Sequence, residues 1–510
     1  MHSIEGLQVV TYLERFGLCE KWFDVMTSIL QGQGSENNLI LYVNHQDELT
    51  WDIEVDILVV GAGGCGLVAA LAAAELGAQV FIVEKEKAAG GNTSLSQAMV
   101  PATGSRMQKE LGIKDSAQLM VEDILRKNKN GSDPELTLHI ARQSGRLIDW
   151  LDEDIGIKLE PLTDFLYPGH SLHRIHANKT RKGKNLINEL LNAASRFDNI
   201  SIAYNAPAVR LIARRSDSAV FGAEVKIEGV GNNLARAKKV ILALNGFGAN
   251  RKMLQKYIPQ MSSAYYFGHE GNTGEGIKWG EALGAKLECM GAYQSHGSVA
   301  HPHGTLLTWV VISLGGYQVN SQGHRFVNEY HGYSEHALDV LAQESGVAFE
   351  IFDHRIYQAV LDYEDFQQCI RMGAVKRFDS IKALAEAFNI PATTLVETHE
   401  TFQKAARCES ADPLGRTDFG PPLEPPFYGI KVTGALFHTQ GGLKVDRRAR
   451  VVRDKGEPIT NLYAGGGTAA GFSGKTGPSG YLSANGLMAA LILGKIAGED
   501  AAKSIKSGST

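Results

Sequence analysis

Gly61, Gly63 and Gly66 form a G-x-G-x-x-G run between an apolar stretch, ILVV at 57–60, and an Ala- and Leu-rich one, LVAALAAAELG at 67–77. Each glycine in that spacing has a physical job. The first turns the chain tightly, the second lets a pyrophosphate approach the backbone, and the third lets helix and strand pack closely. A diphosphate there would face unpaired amides at the positive end of a helix. Glu84, eighteen residues after Gly66, is placed to accept hydrogen bonds from ribose hydroxyls. Gly64 and Lys85 flank these groups. Taken alone, the run fits NAD as readily as FAD.

Two further segments favour FAD. Gly90-Gly91-Asn92-Thr93-Ser94 follows the acidic residue with a tight turn and small polar side chains, so Gly91, Asn92, Thr93 and Ser94 join the candidate cofactor contacts. Near the other end of the chain, Gly465 and Gly466 follow the strand-like NLYA, and GPSGYLSANGL opens a last helix with Ser483 and Asn485 in its first turn. Such a helix start can hold the pyrimidine edge of a flavin, where negative charge accumulates on reduction. Val209 in AVRLIA, and Asn245 and Gly246 after KVILAL, complete the expected set.

The elements that must position these residues read as an α/β fold. ILVV is the continuous apolar run of a parallel strand buried on both faces. A Rossmann-type, three-layer domain with a parallel sheet is therefore expected, assembled from residues 51–261 and 426–510. Residues 262–425, irregular and rich in His and aromatics before turning helical, read as an inserted α+β cap. Residues 1–50, with loose helical spacing from Leu7 to Leu18, read as an N-terminal extension.

Composition narrows the function classes. The 510 residues are 44% hydrophobic and 21% charged, with a net charge of −5. There is no broad basic field for nucleic acid and no apolar run long enough for a membrane span. The five cysteines form no CxxC pair, and the N-terminus lacks a basic segment followed by an apolar one, so a reducing, cytoplasmic setting is expected. His301 and His303 are too sparsely accompanied to predict a metal.

The ordered motifs GAGGCG, GGNTS, LALNGFGANRKML, NTGEGIKWGEALGAKL, GGYQVNSQGHRFVNE, HTQGGLKVDRRARVV and NLYAGGG resemble the fumarate reductase and 3-ketosteroid dehydrogenase superfamily of FAD enzymes. The resemblance runs from about residue 54 to the C-terminus. It implies an FAD domain with a mobile cap, substrate between them, and two hydrogens added or removed across a carbon–carbon bond beside a carbonyl or carboxylate. No histidine stands in GGNTSLSQ, so noncovalent FAD is implied.

Between branches, the fumarate reductases place an arginine shortly after RFVNE, where this chain has Tyr333. Asn328-Glu329-Tyr330-His331-Gly332-Tyr333 instead matches the NExxxY of the ketosteroid enzymes, which implies Tyr333 as a base acting beside a ketone. An ordinary phenol titrates near pKa ~10, so this role predicts an environment that stabilises tyrosinate, with His331 or His336 helping. His438 matches the histidine of HTxGG, Gly480 the glycine whose amide polarises a carbonyl, and His296 the cap residue that reaches substrate. The tyrosine used by ketosteroid enzymes in the C-terminal loop falls on about Thr476. The favoured expectation is an FAD-dependent dehydrogenase introducing a C=C bond alpha,beta to a ketone, cyclic ketones included, with an unidentified electron acceptor. The alternatives are a reductase of an enone or unsaturated carboxylate, and a non-catalytic flavin-binding protein.

Overall fold

The computed structural model describes residues 39–508, apart from Phe165 and Pro168. The spacing from Leu7 to Leu18 lies outside the described residues.

A nine-stranded sheet carries the glycine fingerprint. Its centre is parallel: Gly231–Leu242, Ile53–Val60, Val80–Val83 and Ile200–Ala203 lie side by side in that order. Pro458–Ala464 joins the end of Gly231–Leu242, also in parallel, with Val240 opposite Leu462 and Leu242 opposite Ala464. Residues 57–60 and 80–83 are buried throughout, which is why both read as unbroken apolar runs. The sheet is not parallel throughout. Ala208–Arg214 and Val220–Ile227 extend it as antiparallel neighbours, a connection that needs only a short turn. Ile40–Val43 pairs in parallel with residues 211–214, so this part of the expected N-terminal extension is a strand of the main sheet.

The distant chain ends meet on this sheet. Helix Gly64–Glu75 packs against helix Asn485–Lys506 at unusually close range. A Cβ at Gly494 would lie 2.4 Å from the carbonyl oxygen of Cys65, and one at Gly498 2.1 Å from that of Ala69. The glycines therefore set the separation, and with it the place of the loop preceding Asn485 beside the fingerprint.

A second, eight-stranded sheet has its own apolar core, including Tyr317, Phe352, Leu384 and Ile430. Phe427–Thr439 is its central strand, antiparallel to both Gly291–Ala300 and Val347–Asp353. The second unit thus reaches Thr439, past the boundary expected at 425. A strand's composition does not reveal which sheet it joins; pairing partners do. Among the described residues no helix is long and apolar enough to cross a membrane, and Cys65, Cys289, Cys369 and Cys408 are free thiols.

Candidate active site

A cavity of about 440 Å³ is lined by residues of both sheets and of the C-terminal loop. Its first end is built on the fingerprint. Gly61 has φ +107° and its amide donates to Val83 O at 2.8 Å. A Cβ on Gly66 would stand 1.9 Å from Gly61 O, so Gly66 is excluded from the lining yet fixes the turn that forms it. Gly63 and Gly64 do line the cavity, at the start of the helix. The Glu84 carboxylate is held by two amides, Ala62 N on Oε2 at 2.8 Å and Glu86 N on Oε1 at 2.9 Å. Gly66→Ala is expected to abolish cofactor retention. Visible flavin absorbance per chain after gel filtration checks this, and full flavin content in the variant would refute it.

The polar residues expected from sequence divide into those that line the cavity and those that support it. Lys85, Gly91, Asn92, Thr93, Asn245, Gly466 and Ser483 line it. Lys85 pairs with Glu275 at 2.9 Å, and Asn92 Oδ1 accepts from His269 N and Asn272 Nδ2, both at 2.8 Å. Thr93 Oγ1 accepts from Gly64 N at 3.2 Å. Ser94, Gly246 and Gly465 stand behind: Ser94 Oγ donates to Gly91 O, Gly246 N to Asn245 Oδ1 and Gly465 N to Leu242 O. Val209 is a correction. It is 46% exposed, and its neighbours Pro207 and Ala208, at the start of the strand Ala208–Arg214, line the cavity instead.

Helix Asn485–Lys506 begins at the cavity, with Ser483 and Gly486 in the lining. The side chain of Asn485 is buried, and neither its Oδ1 nor its Nδ2 has a hydrogen-bond partner within the protein. A buried amide of this kind is costly unless something bonds it. Glycine amides at one helix start, a fixed carboxylate and a second helix start with an unsatisfied amide fit a flavin dinucleotide spanning the cavity.

The other end is aromatic. The strand Gly291–Ala300 has a register irregularity directly after His296, a device that re-aims a side chain. The His296 ring stacks on Tyr333 at 5.2 Å and on Phe437 at 5.4 Å, and meets Trp309 edge-on at 5.6 Å. Its Nδ1 accepts from Ser298 N at 3.1 Å, so the neutral ring carries its hydrogen on Nε2. Burial, with His336 adding to it, pushes the His296 pKa down to about 3. His438 is similar: burial takes it down to about 4. Ser473 Oγ donates to Gln440 Oε1 at 2.9 Å, which turns the amide nitrogen of Gln440 to His438 Nδ1, also at 2.9 Å. The contact of His438 Nδ1 with Gln440 at 2.9 Å is shorter than that with Thr439 O at 3.4 Å, which favours the Nε2–H tautomer, so the cavity wall holds two uncharged imidazoles with Nε2–H donors.

Tyr333 begins the helix Tyr333–Leu341. Its hydroxyl is 3.5 Å from Ser483 Oγ, at the limit of a hydrogen bond. Burial, reinforced by Glu335, pushes its pKa up to about 12. This reverses the tyrosinate-stabilising environment expected from sequence. The two histidines invoked for it are engaged elsewhere: His331 Nε2 lies 3.1 Å from Asp339, and His336 Nε2 lies 2.8 Å from Gln318 Oε1.

The C-terminal loop brings a second correction. Gly480 does not line the cavity; a Cβ there would lie 2.0 Å from Ser473 O, so it packs the loop on itself. Thr476 is exposed, whereas Tyr481, overlooked in the sequence, is buried, lines the cavity and meets His438 edge-on at 5.3 Å. Phe267, Trp309 and Phe437 were likewise visible only as composition. Among the described lining residues the charged ones are Glu84, Lys85, Glu86, Glu275 and Asp365, with no arginine. Burial raises the Asp365 carboxyl.

A fingerprint-bearing sheet, a cavity that accepts a flavin and a second unit covering its reacting end together define an FAD-dependent oxidoreductase. The chain belongs to the FAD binding domain family, whose pattern matches residues 56–480. It is similar to the fumarate reductase (cytochrome) of Shewanella frigidimarina, 30% identical over 459 residues that cover 88% of this chain and 77% of that protein. Among solved structures it is similar to the open conformation of a flavocytochrome c3 fumarate reductase, with a TM-score of 0.77 and 27% identity over 90% of this chain and 81% of that one. It also shares its fold with a 3-ketosteroid-delta4-(5alpha)-dehydrogenase from Rhodococcus jostii, at a TM-score of 0.71 and 24% identity over 91% and 99% of the two chains.

Proposed function

We propose that the protein reduces the C=C bond of an uncharged enone, with Tyr333 as the proton donor. The observation that carries this reading is the reacting end of the cavity, which has aromatic walls, two neutral imidazoles and a protonated phenol but no arginine. A dicarboxylate there would meet no cation to offset its desolvation, and the Asp365 carboxyl stands in the same lining. A flat, neutral carbonyl compound suits aromatic walls.

Bound FAD supplies hydride chemistry. Tyr333 Oη delivers a proton to the carbon alpha to the carbonyl, and the Nε2–H groups of His296 and His438 donate to the carbonyl oxygen, where negative charge develops. Neutral donors suit this task because they hold their hydrogens without needing a counterion.

The direction is argued from Tyr333. Burial raises the Tyr333 pKa to about 12, so the phenol is protonated at neutral pH and stands ready as an acid, the form that enone reduction uses. The NExxxY spacing favours the reverse reaction, desaturation of a cyclic ketone by the same groups, as the second reading.

The test is anaerobic mixing. Protein whose flavin has been reduced by dithionite is expected to be reoxidised by 2-cyclohexenone and not by fumarate. Rapid reoxidation by fumarate would overturn the assignment. Bleaching of oxidised protein by cyclohexanone, with no response of reduced protein to the enone, would establish the second reading.

A further inference from the structure

The turn that leads into Tyr333 carries a second group of converging side chains, outside the cavity lining. His331, His336 and Asp339 each bring one ligand atom within 4.8 Å of the other two. His336 and Asp339 are three residues apart on one helix and so share a face. His331 closes the short 3-10 turn Glu329–His331 just before it.

Hydrogen bonding determines which nitrogens are free. Gln318 Nε2 donates to Ser298 Oγ at 2.9 Å and to Glu350 Oε2 at 2.8 Å, so Gln318 Oε1 is an acceptor. His336 Nε2, 2.8 Å from that oxygen, must therefore carry the hydrogen. Its Nδ1 is left as a lone pair, fully buried and without a partner within the protein. His331 Nδ1 faces Asn328 O, a carbonyl that can only accept, so Nδ1 carries the hydrogen there. The neutral His331 ring then presents the lone pair of Nε2 to an Asp339 oxygen 3.1 Å away. Two acceptors face each other beside a third that is orphaned.

Burial opposes a proton on His331, but Asp339 and Asn328 O outweigh it and raise its pKa; that proton would reconcile the first two and leave His336 Nδ1 bare. One cation reconciles all three. We infer that His331, His336 and Asp339 form a site for a divalent transition metal of the zinc type, bound through His331 Nε2, His336 Nδ1 and an Asp339 carboxylate oxygen. Two imidazoles and a carboxylate are a common zinc donor set, with water at the fourth position. Each ligating ring gives its other N–H to an oxygen, Gln318 Oε1 or Asn328 O, the outer-shell arrangement that fixes ligand tautomers. His331 and Asp339 retain side-chain exposures of 30% and 37%, which leaves the ion a path from solvent. The ion would clamp the Asn328–Gly332 turn to the helix that starts at Tyr333, making the site a positioning device for the proton donor rather than part of the reacting centre.

The test uses chelator-treated, untagged holoprotein titrated calorimetrically with ZnCl2, and with CoCl2 for the visible absorption of a low-symmetry cobalt site. One zinc per chain is expected, with a thermal midpoint that rises on addition. His331→Gln and Asp339→Asn, both at partly exposed positions, are expected to weaken zinc at least about 100-fold, beyond the ~10–100-fold typical of an outer-shell change, while flavin content stays that of the parent. The midpoint rise should vanish with them. No zinc binding, or binding of equal strength in both variants, would overturn the site. Neither outcome decides the enone assignment, which is tested separately by flavin reoxidation; zinc removal should slow that reoxidation without changing flavin content.

Discussion

Replacing Tyr333 with phenylalanine is expected to lower the rate of flavin reoxidation by enone about 10²–10⁴-fold, the range typical of a lost general acid. Flavin content and the visible spectrum should be unchanged. The ring's stacking on His296 and its contact with Trp309 survive the substitution, and the hydroxyl's approach to Ser483 is long at 3.5 Å, so little structural bonding is removed. The pH profile separates acid from base. With its pKa at about 12, the phenol stays protonated on both sides of neutrality, so a rate that uses it as an acid is flat there. A parent rate that climbs steeply as pH rises would mean that tyrosinate is the working form, and the desaturase direction would replace the reductase one. A phenylalanine variant as fast as the parent, in anaerobic stopped flow with saturating enone, would remove Tyr333 from the chemistry altogether and leave flavin binding as its setting.

What sequence could reveal about this site follows the range of the forces involved. The fingerprint was legible because its constraints are local. Gly66 must lack a Cβ since its own turn brings Gly61 O to within 1.9 Å of that position, and Glu84 is anchored by amides two and twenty-two residues away within one βαβ unit. Val209 was named where Pro207 and Ala208 line the cavity, because AVRLIA does not reveal which end of the strand meets it. The boundary expected at 425 was hard to place for a related reason: FYGIKVTGALFHT reads as a strand in either sheet, and its pairing with Gly291–Ala300 and Val347–Asp353 decides which sheet it joins. Tyr481 escaped notice because a glycine-rich loop has no period from which to read a direction. The environment of Tyr333 was read with the wrong sign, since its neighbours come from segments as distant as Ser483, and no local pattern reports that burial, with Glu335 adding to it, raises the phenol.

Glu329→Gln is expected to destabilise the fold by about 3–5 kcal/mol, the cost of stripping one partner from a buried ionic group. Arg325 grips both carboxylate oxygens of Glu329, at 2.8 and 2.7 Å, and also reaches Asp412. Arg416, fully enclosed, lies 3.4 Å from the same carboxylate and is otherwise held by Ile312 O, Gly316 O and Asp418 O. Its guanidinium is covered by the rings of Tyr330, Phe402 and Phe419. Without the Glu329 charge, Arg325 would keep Asp412 as its one carboxylate, and the buried Arg416 guanidinium would be left with backbone carbonyls and no carboxylate. The contrast is Glu135→Gln: Glu135 and Arg447 pair at 2.5 Å with side-chain exposures of 77% and 57%, and solvent screening leaves such a pair at about 0–1 kcal/mol. Urea unfolding of the two variants beside the parent compares them directly, and similar midpoints for both would refute the argument. The pH dependence has a definite sign. Burial alone would raise the Glu329 carboxyl, but Arg325 and Arg416 outweigh it and hold it below the usual range. Its contribution is therefore present above the unfolded carboxyl's pKa and is lost as pH falls through the lower folded value. The gap between parent and Glu329→Gln should thus be widest near neutrality and close in acid. Because Glu329 stands four residues before Tyr333, the same substitution should also slow flavin reoxidation, through loss of the turn that presents the phenol rather than through any contact with substrate.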